Sequence, residues 1–359
     1  GPHMLMVSSE DEEIILFDIF VGEVYLFAGQ SNMQFKLGES NYPQYNYESN
    51  TALRLFSTKR IEAGEPYTPE DGWVTAKEDA LETWPALPYL TARRIAEQNP
   101  GIAVGIIACY QGASVIESWL PKGALKAAGI HVKKEDLHPD HTHEIYGAWN
   151  KEGQLYDFAL SQVKPYPLSG VIWYQGESDT TTAEAAVYTE ELRTLIEIWR
   201  RDFGNALLPF VVVQIADYDF PFDKNGWRAL QQAQNALSGS MRNVSVVASA
   251  DVCEHDDIHP KSKEKLADRI AAVLVCCGII SLLLVTAANL PPFGNPSNPV
   301  NNEVSQRYIE KGMQETGAVN IVAGMILDYR AFDTLGESNV LFIAAVTVLI
   351  LLRLAPSKD

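Results

Sequence analysis

Cysteine is scarce in this chain, four in 359 residues: Cys109, Cys253, Cys276 and Cys277. None forms a CxxC pair and two are adjacent in an apolar run. Neither a disulfide framework nor a zinc site is indicated, and a reducing, cytoplasmic compartment fits. Positive charge is also short. Lys and Arg number 28 against 46 Asp and Glu, a net charge of -18, and no basic block interrupts the deficit. Phosphate backbones need clustered Lys and Arg, so nucleic acid is not a partner, and neutral substrates suit the chain better than polyanions. No signal peptide follows GPHM (1–4), which reads as a cloning remnant and is set apart from the fold.

What is present is an ordinary globular composition, 47% hydrophobic and 21% charged. Apolar β-type runs fall at 23–29, 52–58, 102–110, 170–175, 209–216 and 244–251. Between them, amphipathic segments at 87–98, 183–203, 227–237 and 261–273 predict helices, the last opened by Pro260. Strands that are apolar throughout and separated by helices describe a parallel sheet covered on both faces. The expected fold is a three-layer α/β/α sandwich over 5–272, with reactive groups at the carboxyl ends of its strands.

The composition then changes. Residues 270–290 carry no charge, a Pro/Asn-rich link follows at 291–302, and apolar runs recur at 317–327 and 340–352. The first run is long enough for a bilayer. An apolar helical tail over 273–359, associated with a membrane, is the expectation; buried core helices are the alternative.

Five features fall at predicted strand ends. Ser31 follows the first strand in FAGQSNMQF, and Gln111-Gly112 follow the third in ACYQGASVIESW. Gln175, Gly176 and Glu177 follow the fourth in WYQGESD, Asp251 ends the sixth, and CEHDDIHP (253–260) precedes the last helix. A serine nucleophile needs a base, a carboxylate to orient it and donors for the oxyanion. Asp256 and His259 can supply base and orienter, with Asp257 and Glu254 close by. Gly112 leaves its N–H open to close approach, and the Gln175 amide offers another. Each feature alone has a plainer reading, since Gly and Ser make turns and DxxH before a helix caps it. Their order along one sheet edge argues for chemistry.

GQSNM, QGAS-IESW, WYQGES and DxxHP together resemble the sialate O-acetylesterase-like carbohydrate esterases, a branch of the SGNH hydrolases, over about 14–272. The resemblance implies a flavodoxin-like sandwich and removal of O-acetyl groups from carbohydrates without cofactor or metal. It makes Ser31 the nucleophile, His259 the base and Asp256 the orienting acid, with Ser31 N–H, Gly112 N–H and Gln175 as oxyanion donors. Glu177 is either a substrate contact or part of a structural ion pair. Trp84, Trp119, Trp149, Trp173 and Tyr174 are candidates for sugar stacking, Trp173 also for the core. His138, His141 and His143 have no regular ligand spacing and read as a polar loop near the site. The tail resembles small membrane subunits of multi-subunit sodium/proton antiporters and membrane-bound hydrogenases over 274–353, through DYRAFDTLGE. There Asp328, Asp333 and Glu337 could serve ion movement only with partner subunits. The competing functions are a carbohydrate esterase, a membrane-complex component carrying an esterase-like domain, and a sugar-binding module without catalysis.

Overall fold

The computed structural model describes residues 2–9, 12–62, 72–164, 166–291, 295 and 297–354. Nine strands are present among them: β1 (His3–Ser8), β2 (Glu13–Ile19), β3 (Gly22–Gly29), β4 (Asn50–Ser57), β5 (Val74–Ala76), β6 (Ala103–Tyr110), β7 (Gly170–Tyr174), β8 (Phe210–Val213) and β9 (Val244–Val247). Seven of them form one sheet in the order β5-β4-β6-β3-β7-β8-β9, parallel except for the β4–β5 pair. The six predicted strands are β3, β4, β6, β7, β8 and β9, several shorter than the apolar runs that announced them. The short edge strand β5 and the β1–β2 hairpin were not predicted, and β1 starts within the cloning remnant.

The helices of this part are α1 (Ser31–Gln34), α2 (Ala86–Gln98), α3 (Ala124–Ala127), α4 (Gln154–Phe158), α5 (Thr182–Asp202), α6 (Lys224–Asn235) and α7 (Glu264–Ala288). Strands β3 and β7 are buried from Leu26 to Ala28 and from Val171 to Tyr174. That is the burial that their unbroken apolar runs require. Central β3 pairs with β6 and β7 in a register that sets Gly29, Tyr110 and Tyr174 level. The three loops that follow therefore start side by side, at the point where strand order reverses.

The chain divides into two compact units, Gly1–Leu282 and Leu283–Asp359. The second contains α8 (Glu303–Thr316), α9 (Ile321–Gly324), a π-helical turn (Met325–Tyr329) and α10 (Ala331–Leu354). Its acids Asp328, Asp333 and Glu337 are exposed, and Asp333 pairs with Arg330 one turn away. Among the described residues no helix is long and apolar enough to cross a membrane. The expected membrane runs 270–290 and 340–352 fall partly on side chains outside the described residues (277, 279–282, 284 and 347–352), and so do 292–294 and 296 of the link.

Helix α7 is continuous through 272, and Leu274 is buried with Leu266, Ala267, Ile270 and Ala271. A chain ending at Leu282 is expected to keep the stability of the first unit. Ending at Ala272 forfeits Leu274, a loss of about 1.5–3 kcal/mol. Urea unfolding of the two truncations, followed by tryptophan fluorescence, checks this; equal midpoints would put the boundary back at 272.

Candidate active site

Strand β3 ends at a glycine for a steric reason. Gly29 has φ +144, and a Cβ there would lie 1.9 Å from the Tyr174 carbonyl oxygen. Only glycine lets the chain leave the sheet this closely to β7. Gln30 then donates its N–H to Tyr174 O at 3.0 Å, and Ser31 opens α1, half-buried at the sheet edge. After β6, Gln111 N–H bonds Gly29 O at 3.0 Å, and Ala113 follows with φ +50, strain that a non-glycine residue carries only where its surroundings impose it.

Ser31, Gly112, Glu177 and His259 line one cleft of about 630 Å³. Gly112 lies close to the serine, since a Cβ built on it would be 3.8 Å from Ser31 Cβ. Its N–H donates to Gln34 Oε1 at 3.2 Å. The His259 ring stacks on Phe35 at 6.3 Å. Burial lowers the His259 pKa, the Asp257 carboxylate opposes that, and Lys263 adds to it.

Two expected residues sit elsewhere. Gln175 is fully buried and does not line the cleft. Its amide nitrogen donates to Ser114 O at 2.8 Å and to Asp179, while its oxygen accepts the Tyr188 hydroxyl at 2.7 Å. An oxyanion donor needs a spare N–H aimed at substrate, and Gln175 has none. Asp256 is exposed and makes no hydrogen bond to His259 among the described residues. Two carboxylates act on the His259 charge, Asp257 more than Glu39, and Asp257, exposed like Asp256, also accepts the His259 backbone N–H at 2.9 Å.

The aromatic candidates divide. Trp84, Trp119, Trp173 and Tyr174 are core residues, whereas Trp149 reaches the cleft. Of the histidines, His138 lines the cleft and His143 stacks on Tyr146 at 4.1 Å. His141 meets Glu184 at 2.7 Å, and its ring, Glu117 and Asp179 bring potential metal-ligand atoms within 4.8 Å of one another. Glu117 Oε2 is buried without a hydrogen-bond partner, whereas Asp179 is engaged. Asp179 accepts Ile116 N–H at 3.1 Å and Gln175, and burial raises its pKa well above the ordinary value, which favours a proton there.

Sequence reasoning missed the polar triad beneath the serine. Asn32 Nδ2 donates to Glu177 Oε1 at 2.6 Å and to the Ile258 carbonyl at 2.9 Å, and Lys263 Nζ donates to Asn32 Oδ1 at 2.7 Å. The residue after Ser31 thereby holds the residue before His259. Asn32 stood inside the GQSNM motif, but Lys263 carried no signal in its polar surroundings. Glu177 Oε2 is buried without a hydrogen-bond partner, and burial raises the Glu177 pKa. Burial lowers Lys263 to about 8 from 10.5. The unfolded chain therefore holds that proton more tightly, so this group makes stability rise between about pH 8 and 10.5. At pH 7 the ammonium offsets Glu177. Lys263→Met should cost about 3 kcal/mol in urea unfolding at pH 7, because it strands a buried carboxylate and the Asn32 oxygen. An unchanged midpoint would mean that the triad is not a structural charge pair.

The family model for carbohydrate esterase, sialic acid-specific acetylesterase matches residues 21–276, and the MbhE model, of the MBH complex, matches 265–359. Human sialate O-acetylesterase is 26% identical over 307 residues, covering 75% of this chain and 57% of that protein, so the chain spans little more than half of such relatives. The crystal structure of a carbohydrate acetylesterase from Xanthomonas citri superposes with TM-score 0.64 at 28% identity, over 76% of this chain and 60% of that one. In the tail, a protein of Rhizobium meliloti described as a probable K(+)/H(+) antiporter component is 39% identical over 64 residues, 18% of this chain and 6% of that protein.

Proposed function

The chain belongs to the family of sialic acid-specific carbohydrate acetylesterases, and from that premise we propose that it removes O-acetyl groups from carbohydrates by a serine mechanism. The carrying observation is the convergence of Ser31, Gly112 and His259 on one cleft. In this reading Ser31 Oγ attacks the acetyl carbonyl carbon while His259 takes its proton. The negative oxygen is received by the backbone N–H groups of Ser31 and Gly112, the latter after Gln34 Oε1 swings away. His259 then protonates the departing sugar hydroxyl. Water, deprotonated by His259, attacks the acetyl-Ser31 ester, and acetate leaves as the serine regains its proton.

Asp257 takes the place of Asp256 as the orienting acid in this reading, because its charge acts on the imidazole more than that of any other carboxylate. Glu177 serves the scaffold through Asn32 and Lys263 rather than substrate. The same reading makes the first unit a flavodoxin-like three-layer sandwich. The tail is a separate element whose kinship to the MbhE family adds nothing to the ester chemistry, since none of the proposed residues lies in it. A membrane-complex role rests on the MbhE match over 265–359 and on a match to 6% of one relative, and among the described residues no helix is long and apolar enough to cross a membrane. The test is acetate release from O-acetylated saccharides by the protein and by Ser31→Ala.

A further inference from the structure

The cleft beside Ser31 has an aromatic wall that an acetyl group alone does not need. Between β8 and α6 the chain reads DYDFPFD (217–223), and Tyr218, Phe220, Pro221 and Phe222 all face the cleft that holds Ser31 and His259. Phe220 and Phe222 are 73% and 68% exposed, rings held in water with no core to join. They are nonetheless braced. Tyr218 lies 6.1 Å from the Phe220 ring and 5.6 Å from Trp227, and Phe222 meets His138 edge-on at 5.2 Å. Asp219 ties the segment to the His259 loop, through an ion pair with His255 at 2.8 Å and a bond from its N–H to His255 O at 2.9 Å.

The charge of the cleft points the same way. Among the described residues lining it there is no Lys or Arg, while Glu62, Asp140 and Glu177 are acids. Arg60, the guanidinium beside Glu62, is paired with it at 3.2 Å and lies over the Tyr110 ring. Lys36 and Lys261 do not line the aromatic cleft; they line a second cavity with Glu39, which shares Ser31, Gln34, Gly112 and His259 with it. A carboxylate entering the aromatic cleft would lose water, gain no cation and meet like charge.

Resting on the reading of Ser31 as nucleophile, we propose that this cleft takes its acetylated substrate as a neutral carbohydrate, its sugar ring stacked on Phe220 and Phe222, and discriminates against sugars that carry a carboxylate. The acidic, cation-free wall and the two exposed rings thus separate this chain's substrate from the sialate in its relatives' names. The apolar C–H face of a pyranose matches an aromatic face, and its hydroxyls stay hydrated at the open side.

Titration of the full chain with xylohexaose, mannohexaose and N-acetylneuraminic acid, read by tryptophan fluorescence and calorimetry, tests this without needing turnover. One neutral hexasaccharide should bind at least about ten-fold tighter than N-acetylneuraminate, and Phe220→Ala/Phe222→Ala should weaken it about ten-fold. The melting temperature of the variant, read alongside, should be that of the unaltered protein. Binding of N-acetylneuraminate as tight as that of the neutral sugars overturns the proposal, as does wild-type affinity in the double variant or no binding of either hexasaccharide. Hydrolysis of p-nitrophenyl acetate reports separately on Ser31. Saccharide binding without that hydrolysis removes the serine chemistry and leaves the platform; hydrolysis without binding does the reverse.

Discussion

Ser31→Ala is expected to lower acetate release by about 10⁴-fold or more while the protein unfolds at the same denaturant concentration. The two halves of this result follow from different features. The rate loss follows from chemistry: without Oγ no acyl bond forms, and only the weak catalysis by positioned donors remains. The unchanged stability follows from placement. Ser31 is half-buried at the start of a four-residue helix, and no side-chain bond from its hydroxyl holds the turn among the described residues. The turn is held instead by Gly29, by the Gln30 backbone and by the Asn32 amide. Acetate release and urea unfolding on the same preparation check both halves. A tenth of the activity remaining in folded Ser31→Ala would remove the serine from the mechanism. A collapse of stability would make it a structural residue.

What the sequence made legible was the sheet edge. Strands β3, β6 and β7 read directly because both of their faces are buried and their apolar runs are unbroken, and a glycine or amide after each marked the exit. The register that levels Gly29, Tyr110 and Tyr174 then follows from parallel pairing. The partners of those exits were not legible. Lys263 and Asn32 are 231 residues apart, and nothing local distinguishes a lysine that will be 1% exposed from its solvated neighbours. Gln175 misled for a related reason: a polar residue after a strand looks available, yet here Ser114, Asp179 and Tyr188 use up its amide. Exposed Phe220 and Phe222 were passed over because a short aromatic cluster in a loop resembles a buried one. The end of α7 was set too early, since a loss of charge near 272 does not break a helix that is still burying Leu274.

The choice between adjacent carboxylates gives the second large effect. Asp257→Asn is expected to reduce kcat by roughly 10²–10⁴, whereas Asp256→Asn should stay within about two-fold. Spacing alone favoured Asp256, three residues before His259, and both carboxylates are exposed, but the charge that acts most on the imidazole is that of Asp257. Asp257 raises the His259 pKa against the burial that lowers it, so its charge stabilises the imidazolium that forms when Ser31 gives up its proton. Loss of that charge has a second signature with a definite sign. Neutral imidazole is the active base, so kcat/KM rises with pH through the His259 pKa. Because burial holds that pKa below its ordinary value of 6.5, the protein should be fully active by neutral pH. Asp257→Asn removes a charge that raises it, so the acid limb should move to still lower pH even as the plateau falls. Asp256→Asn should leave the limb in place. The pH profiles of kcat/KM for both variants decide the matter: equal losses, or a limb displaced only in Asp256→Asn, would return the orienting role to Asp256. An Asp257→Asn protein with the full plateau would remove Asp257 from the mechanism and leave Glu39 as the remaining carboxylate acting on His259.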